Sequence, residues 1–260
     1  MPLDLSIVIV SFNGRADLER CLASLHDAPP ARPHEIIVVD NASADGSAEA
    51  ARRWPDVTVI ETGANLGFAR GNNVGIRASS AVNLLLLNSD TIVPPGAVDG
   101  LMAAIDRHPD VAVVGPRLVD GAGRAELSFG AMVGPVAAFR QKRLARGDVD
   151  GLTRREQSPD WVTGACLLVR RADAEAVGLL DERYFMYLED VDFCAALRAR
   201  GRRVLFTPAV EVTHLRGRSA PSAGATWRAY HDSLLAFYRK HHPFWVPWLR
   251  LYLMVRGADR

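Results

Sequence analysis

The stretch Leu84-Leu85-Leu86-Leu87-Asn88-Ser89-Asp90-Thr91 constrains the chain more than any other, because four leucines stop abruptly at a polar triplet ending in a carboxylate. A short, wholly apolar run bounded by polar residues fits a strand buried on both faces of a parallel sheet. The triplet then lies just past the strand's carboxyl end, the edge at which open α/β sheets bind ligands. Asp90 is there placed to hold a divalent metal, with Asn88 as a second polar side chain from the same turn. The competing reading is a capping or turn role for Asp90, helped by Thr91 and Pro94-Pro95-Gly96.

The rest of the chain supplies units that build such a sheet. Leu5-Ser6-Ile7-Val8-Ile9-Val10 reads as a strand turned at Ser11-Phe12-Asn13-Gly14, and Leu18, Cys21, Leu22 and Leu25 then recur at helical spacing. Glu35 to Val39 runs into the turn-rich Asp40-Asn41-Ala42-Ser43-Ala44-Asp45-Gly46-Ser47, followed by a helix from about Ala48 to Arg53. A third strand, Val57 to Ile60, leads to a Gly-rich loop at 63–75 and a helix toward Ala78. Strands alternating with short helices predict a doubly wound α/β sheet. An Asp directly after a buried strand, as Asp40 is, can accept from a ribose hydroxyl or a base N–H, or serve as an N-cap or Asx-turn. No G-x-G-x-x-G follows the first strand, which argues against a dinucleotide-binding dehydrogenase.

Further along, Val98, Leu101, Met102 and Ile105 mark a helix over Ala97 to Arg107, and Val111 to Val114 marks a strand ending in Gly115-Pro116-Arg117. Leu118 to Phe129 reads as a hairpin turned at Asp120-Gly121-Ala122-Gly123. Residues 130–159 lose all periodicity and read as a loop that covers the site as a lid. Trp161 to Arg170 is expected to be one strand, in which Gly164-Ala165 leaves room for close approach to the backbone. Trp161 suits sugar stacking or core filling. Glu189, Asp190 and Asp192 open a helix, where carboxylates are favoured by the macrodipole; a general base among them is the sharper reading. Short strands are expected at 203–207 and 210–213. His214 follows, read as an exposed imidazole beside Arg216 and Arg218, suited to a metal or a phosphate.

Composition excludes several classes. A length of 260 residues with 48% apolar and 23% charged residues is that of a soluble globular protein. The formal charge of +1 gives no global attraction to nucleic acid, so none is expected as a partner. Cys21, Cys166 and Cys194 share no metal or disulfide spacing and read as buried thiols. The apolar run at the N-terminus is too short for a signal peptide, which predicts a cytoplasmic protein. Phe244 to Val255 is broken by Pro247 and Arg250, short of the ~20 apolar residues a spanning helix needs. Its aromatics and cations suit the membrane interface; packing on the catalytic domain or on a partner subunit, as in a homodimer, is the competing reading.

Six stretches, in this order, resemble the family 2 inverting glycosyltransferases of GT-A fold, most closely a rhamnosyltransferase-like branch that builds bacterial cell-surface polysaccharides. They are Ile7 to Asn13, Ile37 to Ser47, Asn65 to Asn73, Leu86 to Asp90, Trp161 to Ala165 and Tyr187 to Asp192. The resemblance implies a Rossmann-like, mostly parallel mixed sheet in a catalytic domain over residues 1–222. Its nucleotide-binding half would be 1–117 and its acceptor-binding half 118–222, with a helical tail over 223–260. It implies that Ser11 and Asp40 hold the donor nucleoside, and that Asn13, Gly67, Arg70 and Asn72 lie near its ribose or diphosphate. Asn88 and Ser89 flank the diphosphate, Asp90 and His214 ligate Mg²⁺ or Mn²⁺, and Asp190 with Glu189 takes the proton from the acceptor hydroxyl. Trp161, Gly164, Ala165 and Asp192 would line the acceptor side. The commonest form of the family's metal motif begins with an Asp where this chain has Asn88. By the same resemblance the donor is a deoxythymidine diphosphate rhamnose, with uridine diphosphate sugars next. The acceptor is a saccharide, free or linked to a polyprenyl diphosphate at the cytoplasmic face of the inner membrane. A nucleotidyltransferase, or a nucleotide-sugar-binding protein without turnover, is the alternative.

Overall fold

The computed structural model describes residues 3–134, 147–215 and 223–257. Four strands, β1 (Leu5–Ser11), β2 (His34–Asp40), β3 (Val57–Glu61) and β4 (Asn83–Asn88), lie parallel in the order β3-β2-β1-β4. The sheet continues through β10 (Cys166–Arg170), β6 (Val111–Val119), β11 (Arg203–His214) and β5 (Thr91–Ile92). β10 runs antiparallel to both β4 and β6, while β6 and β11 are parallel to each other. Because β10 reverses between two strands of one sense, β1 to β4, β6 and β11 all end at the same edge. The fold is therefore mixed but mostly parallel, as expected.

Burial on both faces explains why the apolar runs carry so much information. Along β4, Leu85 and Leu87 enter one core with Leu18 and Leu22 of α1 (Arg15–Asp27) and Leu101 and Ile105 of α4 (Ala97–Arg107). Leu84 and Leu86 enter the other, with Ile76 of α3 (Gly67–Ala78) and Phe193 and Leu197 of α7 (Glu189–Ala199). The period of two thus divides four leucines between two helical layers. The intervening short helices are α2 (Ser47–Ala51), α5 (Val149–Leu152) and α6 (Arg171–Ala176). A third cluster joins Tyr184, Leu188 and Val191 to Phe237 and Tyr238 of α8 (Ala223–His241) and to Leu249 and Leu253 of α9 (Val246–Gly257).

Several expected elements differ. The Gly-rich segment at 63–75 is helical from Gly67 onward, because its glycines serve helix-to-sheet packing: a Cβ on Gly75 would lie 2.4 Å from Val8 Cγ1. Trp161 to Arg170 is two strands, β9 (Trp161–Val162) and β10; the chain leaves β9, which pairs with β8 (Phe129–Gly130), before joining β4. β11 is one strand with an irregularity between Thr207 and Glu211, where two were expected. β6 continues through Pro116 to Val119 and turns into β7 (Ala125–Glu126) at the expected Asp120–Gly123 turn. The expected lid falls in part on residues 135–146, outside the described residues, and Arg216 and Arg218 lie outside them too.

Gly67 is the tightest backbone junction. Its φ is +79°, a Cβ would approach the Phe185 carbonyl oxygen to 2.2 Å, and the next amide, Phe68 N, donates to that same oxygen at 2.7 Å. The first turn of α3 is thereby satisfied by the segment leading into α7. We predict that Gly67→Ala lowers unfolding free energy by about 2 kcal/mol or more, combining left-handed strain with the clash. Gly63→Ala, at φ +71° with nothing within 4 Å, carries the strain alone. Urea titrations giving the two variants equal stability would refute the junction.

Candidate active site

The shared edge collects most of the residues singled out above. Ser11 and Asp40 are register partners at the ends of β1 and β2 and lie side by side. Asp40 Oδ2 accepts from Ser43 N at 2.9 Å, a local turn contact, but Asp40 Oδ1 and Ser11 Oγ are buried without a hydrogen-bond partner. Asn72 donates to Phe68 O within its own helix, and its Oδ1 is likewise unpaired. Buried polar atoms without partners are rare and costly, and three of the six such side-chain atoms among the described residues fall in Ser11, Asp40 and Asn72. Asn13 is exposed and structural in its contacts: its amide donates to Ser43 Oγ and its Oδ1 accepts from Ala44 N, locking the first turn to the second. Arg70 points to Glu182, which also receives Asn73 and Arg77. Gly67 serves the helix junction described above.

At the end of β4, Asn88 N donates to Ala165 O at 2.9 Å, and Gly164 N donates to Asp190 Oδ2 at 2.8 Å. Two consecutive residues of the β9–β10 break therefore tie the Asp190 carboxylate to the strand end that carries Ser89 and Asp90. Asp190 Oδ1 accepts from Val191 N at 2.8 Å. Burial raises the Asp190 carboxyl above its ordinary range, and the hydrogen bonds from Gly164, Val191 and Thr163 oppose that rise. Glu189 is raised further, by burial and then by the neighbouring Asp190 charge, and its Oε2 has no partner. Of the pair, Asp190 is the one whose oxygens accept backbone hydrogen bonds that favour the anion, while burial and the Asp190 charge both push the Glu189 carboxyl up. The turn before them is strained: Tyr187 has φ 71° and Leu188 φ 66°, each costing about 1–2 kcal/mol for a residue with a side chain.

His214 is not the exposed imidazole expected from sequence. Pairing of β11 with β5 sets His214 against Thr91, and its side chain is 13% exposed. Nε2 lies 3.3 Å from Asp90 Oδ1 and 3.4 Å from Asn88 Nδ2, while Nδ1 lies 3.3 Å from Glu126 Oε2. Burial pulls the ring's pKa down, but its hydrogen bonds and Coulomb attraction to Asp90 and Glu126 outweigh this and push it up to about 9. Glu126 was missed by sequence reasoning; a lone carboxylate within the otherwise polar-poor stretch Ala125 to Phe129 was its only signal.

A divalent cation can be tested against this geometry. The two nitrogens of one ring face opposite ways, so Asp90 and Glu126 cannot share an ion, and no cage of three His, Cys, Asp or Glu forms among the described residues. Asp90 and His214 do fit as two ligands, with Glu126 holding the far ring nitrogen, the arrangement that orients histidine ligands generally. Mg²⁺ and Mn²⁺ commonly take few protein ligands and fill the rest with phosphate oxygens and water.

Two expected acceptor contacts are placed differently. Asp192 is buried: its oxygens receive Lys240 Nζ at 2.7 Å and Tyr184 Oη at 3.2 Å, and lie 2.6 Å from His241 Nε2. With both oxygens held by the tail, it is a structural carboxylate. Trp161 is half-buried between two apolar clusters, its indole N–H bonded to Ala131 O at 2.8 Å, so core filling prevails over an open stacking face. Sequence gave no sign of the tail partners Lys240 and His241, which lie about fifty positions away and carry no motif. All three cysteines are buried free thiols.

A profile described as glycosyl transferase family 2 matches residues 6–177. An N-acetylglucosaminyl-diphospho-decaprenol L-rhamnosyltransferase of Mycobacterium tuberculosis is 33% identical, over 98% of this chain and 94% of that protein. A low-salt glycan biosynthesis hexosyltransferase of Haloferax volcanii is 26% identical over 88% of this chain and 73% of that protein. Among solved structures, GalNAc-T7 with UDP, GalNAc and Mn²⁺ superposes with a TM-score of 0.67 at 19% identity, covering 92% of this chain and about half, 48%, of that one. The mannosyltransferase PcManGT of Pyrobaculum calidifontis with GDP-Man and Mn²⁺ gives 0.66 at 20% identity, over 96% of this chain and 69% of that one. These structural likenesses carry the fold, and the sequence matches carry the family. With its sheet edge, its strand-end Asp90 and its anchored Asp190 in the matching order, the chain belongs to glycosyl transferase family 2, in its rhamnosyltransferase-like branch.

Proposed function

We propose that the protein transfers L-rhamnose, with inversion, from deoxythymidine diphosphate rhamnose to a hydroxyl of a saccharide carried on a polyprenyl diphosphate. The observation that carries this reading is the hydrogen-bonded path Asp190–Gly164–Ala165–Asn88, which ties a base-competent carboxylate to the strand end bearing Asp90. Ser11 and Asp40, whose unpaired oxygens face no protein donor, would receive the nucleoside, and Asn72, with its own unpaired Oδ1, the ribose or diphosphate. On this reading residues 1–117 hold the donor and 118–222 the acceptor.

Asp190 takes the proton from the acceptor hydroxyl as that oxygen bonds to the anomeric carbon. The bond from that carbon to the diphosphate oxygen breaks on the opposite face, and the nucleoside diphosphate leaves with its electron pair. Glu189 lies beside it, its carboxyl pushed up by burial and by the Asp190 charge. Asp90 and His214 would hold a divalent cation, which stabilises charge growing on the departing diphosphate. Nucleotidyl transfer is the disfavoured alternative, since the family and its relatives transfer sugars.

The acceptor's lipid accounts for the tail. Phe244 is 91% and Trp248 66% exposed, and Trp245, Leu251, Tyr252, Met254 and Val255 are exposed beside them. From Ser233 to Gly257 the sequence has Arg239, Lys240, Arg250 and Arg256 and no acidic residue. Aromatic and basic residues together favour an anionic membrane interface. No helix among the described residues is long and apolar enough to cross a membrane. The proposed location is thus peripheral, at the cytoplasmic face.

Incubation with deoxythymidine diphosphate rhamnose and a short-chain prenyl diphosphate N-acetylglucosamine is expected to yield a rhamnosylated lipid and the nucleoside diphosphate. Release of pyrophosphate from a nucleoside triphosphate instead would point to nucleotidyl transfer. Asp190→Asn should lower kcat by about 10³-fold, near the usual worth of a general base, while donor affinity changes little; Glu189→Gln should lose far less. Retained turnover in Asp190→Asn would move the base elsewhere. Because the Asp190 carboxyl is raised and must be ionised to act, turnover should fall on the acid side at a pH above the ~3.9 of a free Asp. An acid limb at or below that value would contradict the assignment. EDTA should suppress transfer and Mn²⁺ restore it, and Glu126→Gln should weaken Mn²⁺ binding by about tenfold in calorimetry. Unchanged Mn²⁺ affinity in that variant would remove Glu126 from the site.

A further inference from the structure

The helix α8 touches the base-bearing segment at every level of its structure. Upstream of Glu189, Ser233 Oγ donates to the Met186 carbonyl at 2.7 Å, immediately before the left-handed Tyr187 and Leu188. Beneath the turn, Phe237, fully buried, packs in one cluster with Tyr184, Leu188 and Val191. Downstream, Lys240 Nζ bridges Asp192 Oδ2 at 2.7 Å and Asp181 Oδ2 at 2.8 Å, and His241 Nε2 lies 2.6 Å from Asp192 Oδ1. Asp192 N in turn donates to Leu188 O at 2.9 Å, closing the first turn of α7 over the catalytic pair.

We propose that Ser233, Lys240 and His241 of the C-terminal helix are positioning residues, which hold the left-handed Tyr187–Leu188 turn so that Asp190 stays aimed at the end of β4. Left to itself, a turn with two consecutive side-chain residues at positive φ relaxes, because that region is disfavoured for both. The surrounding contacts must therefore over-determine it, and α8 supplies them on both sides of Glu189 and Asp190. The chemistry of the clamp agrees. The Asp192 side chain is 3% exposed, and a buried ion pair adds little stability compared with apolar packing of the same shape. What such a pair fixes is direction, and the direction here is that of the helix start carrying the base. The role rests on Asp190 being the base. It also places the tail in the catalytic unit, whatever its outer face contacts.

Lys240→Met keeps the aliphatic stem and removes the charge, and Ser233→Ala removes one hydrogen bond. In the full-length protein both should speed hydrogen exchange of the 185–192 amides by tenfold or more and leave β1 and β4 unchanged. With deoxythymidine diphosphate rhamnose and the prenyl diphosphate acceptor, kcat should fall about tenfold while KM for the donor moves less than twofold, and Lys240→Arg should recover most of the loss. Unchanged exchange over 185–192 in both folded variants would overturn the proposal, as would wild-type kcat in both. Asp190→Asn run alongside separates the two readings. Full turnover in that variant sinks the base assignment, and an inactive Asp190→Asn beside wild-type kcat in both Lys240→Met and Ser233→Ala sinks the clamp alone. Should rhamnose not be transferred by the wild type, the exchange measurement still decides whether α8 holds the turn.

Discussion

The reversal of β10 between β4 and β6 is the constraint on which the site depends. Parallel strands bring only their carboxyl ends to the ligand edge, and in this sheet those ends carry Ser11, Asp40, Asp90 and His214. A strand of opposite sense contributes its entry instead, and the entry to β10 is Gly164-Ala165. Its free backbone groups face both ways: one amide to Asp190, the next carbonyl to Asn88. Were β10 parallel to its neighbours, that segment would sit at the far edge, and Asp190 would lose its Gly164 link to the end of β4.

Around this edge the chain departs from local rules, and the departures coincide with the chemistry. Glu189 is buried with an unpaired oxygen, Asp40 and Ser11 have unpaired oxygens, and Tyr187 and Leu188 adopt a conformation that suits glycine. Each costs of order 1–3 kcal/mol. Nothing in the packing demands them: β1 and β2 would pair as well with small apolar residues at 11 and 40. The two buried layers on either side of the sheet, which divide the leucines of β4 between them, supply the stability that tolerates these sites.

What could be seen in the sequence follows from the same physics. A strand buried on both faces has no solvent side to dilute its apolar run, so β1, β2 and β4 announce themselves, and so does the edge at which they stop. The direction of β10 does not, because Cys166 to Arg170 would be equally apolar in either sense. Glycines at 71 and 75 look alike whether they form a loop or let a helix approach the valines of β1; only contact decides. Glu189, Asp190 and Asp192 open one helix and share its macrodipole, yet one is buried with an unpaired oxygen, one is anchored to Gly164 and one is clamped by Lys240 and His241. Those differences come from residues twenty-odd to fifty positions away, and no local pattern encodes them.

The same reasoning bears on Asn88, which stands where a carboxylate is commoner in the family's motif. Around His214 there are already two carboxylates, Asp90 on one ring nitrogen and Glu126 on the other. A protonated imidazole leaves this group with one net negative charge; a neutral imidazole with a bound divalent cation brings it to zero. An Asp at 88, 3.4 Å from the ring through its side chain as Asn88 is, would add a third negative charge that neither state balances. A neutral carboxamide avoids that excess. In this chain Glu126, brought across on β7 by its pairing with β6, supplies the second carboxylate at the His214 ring.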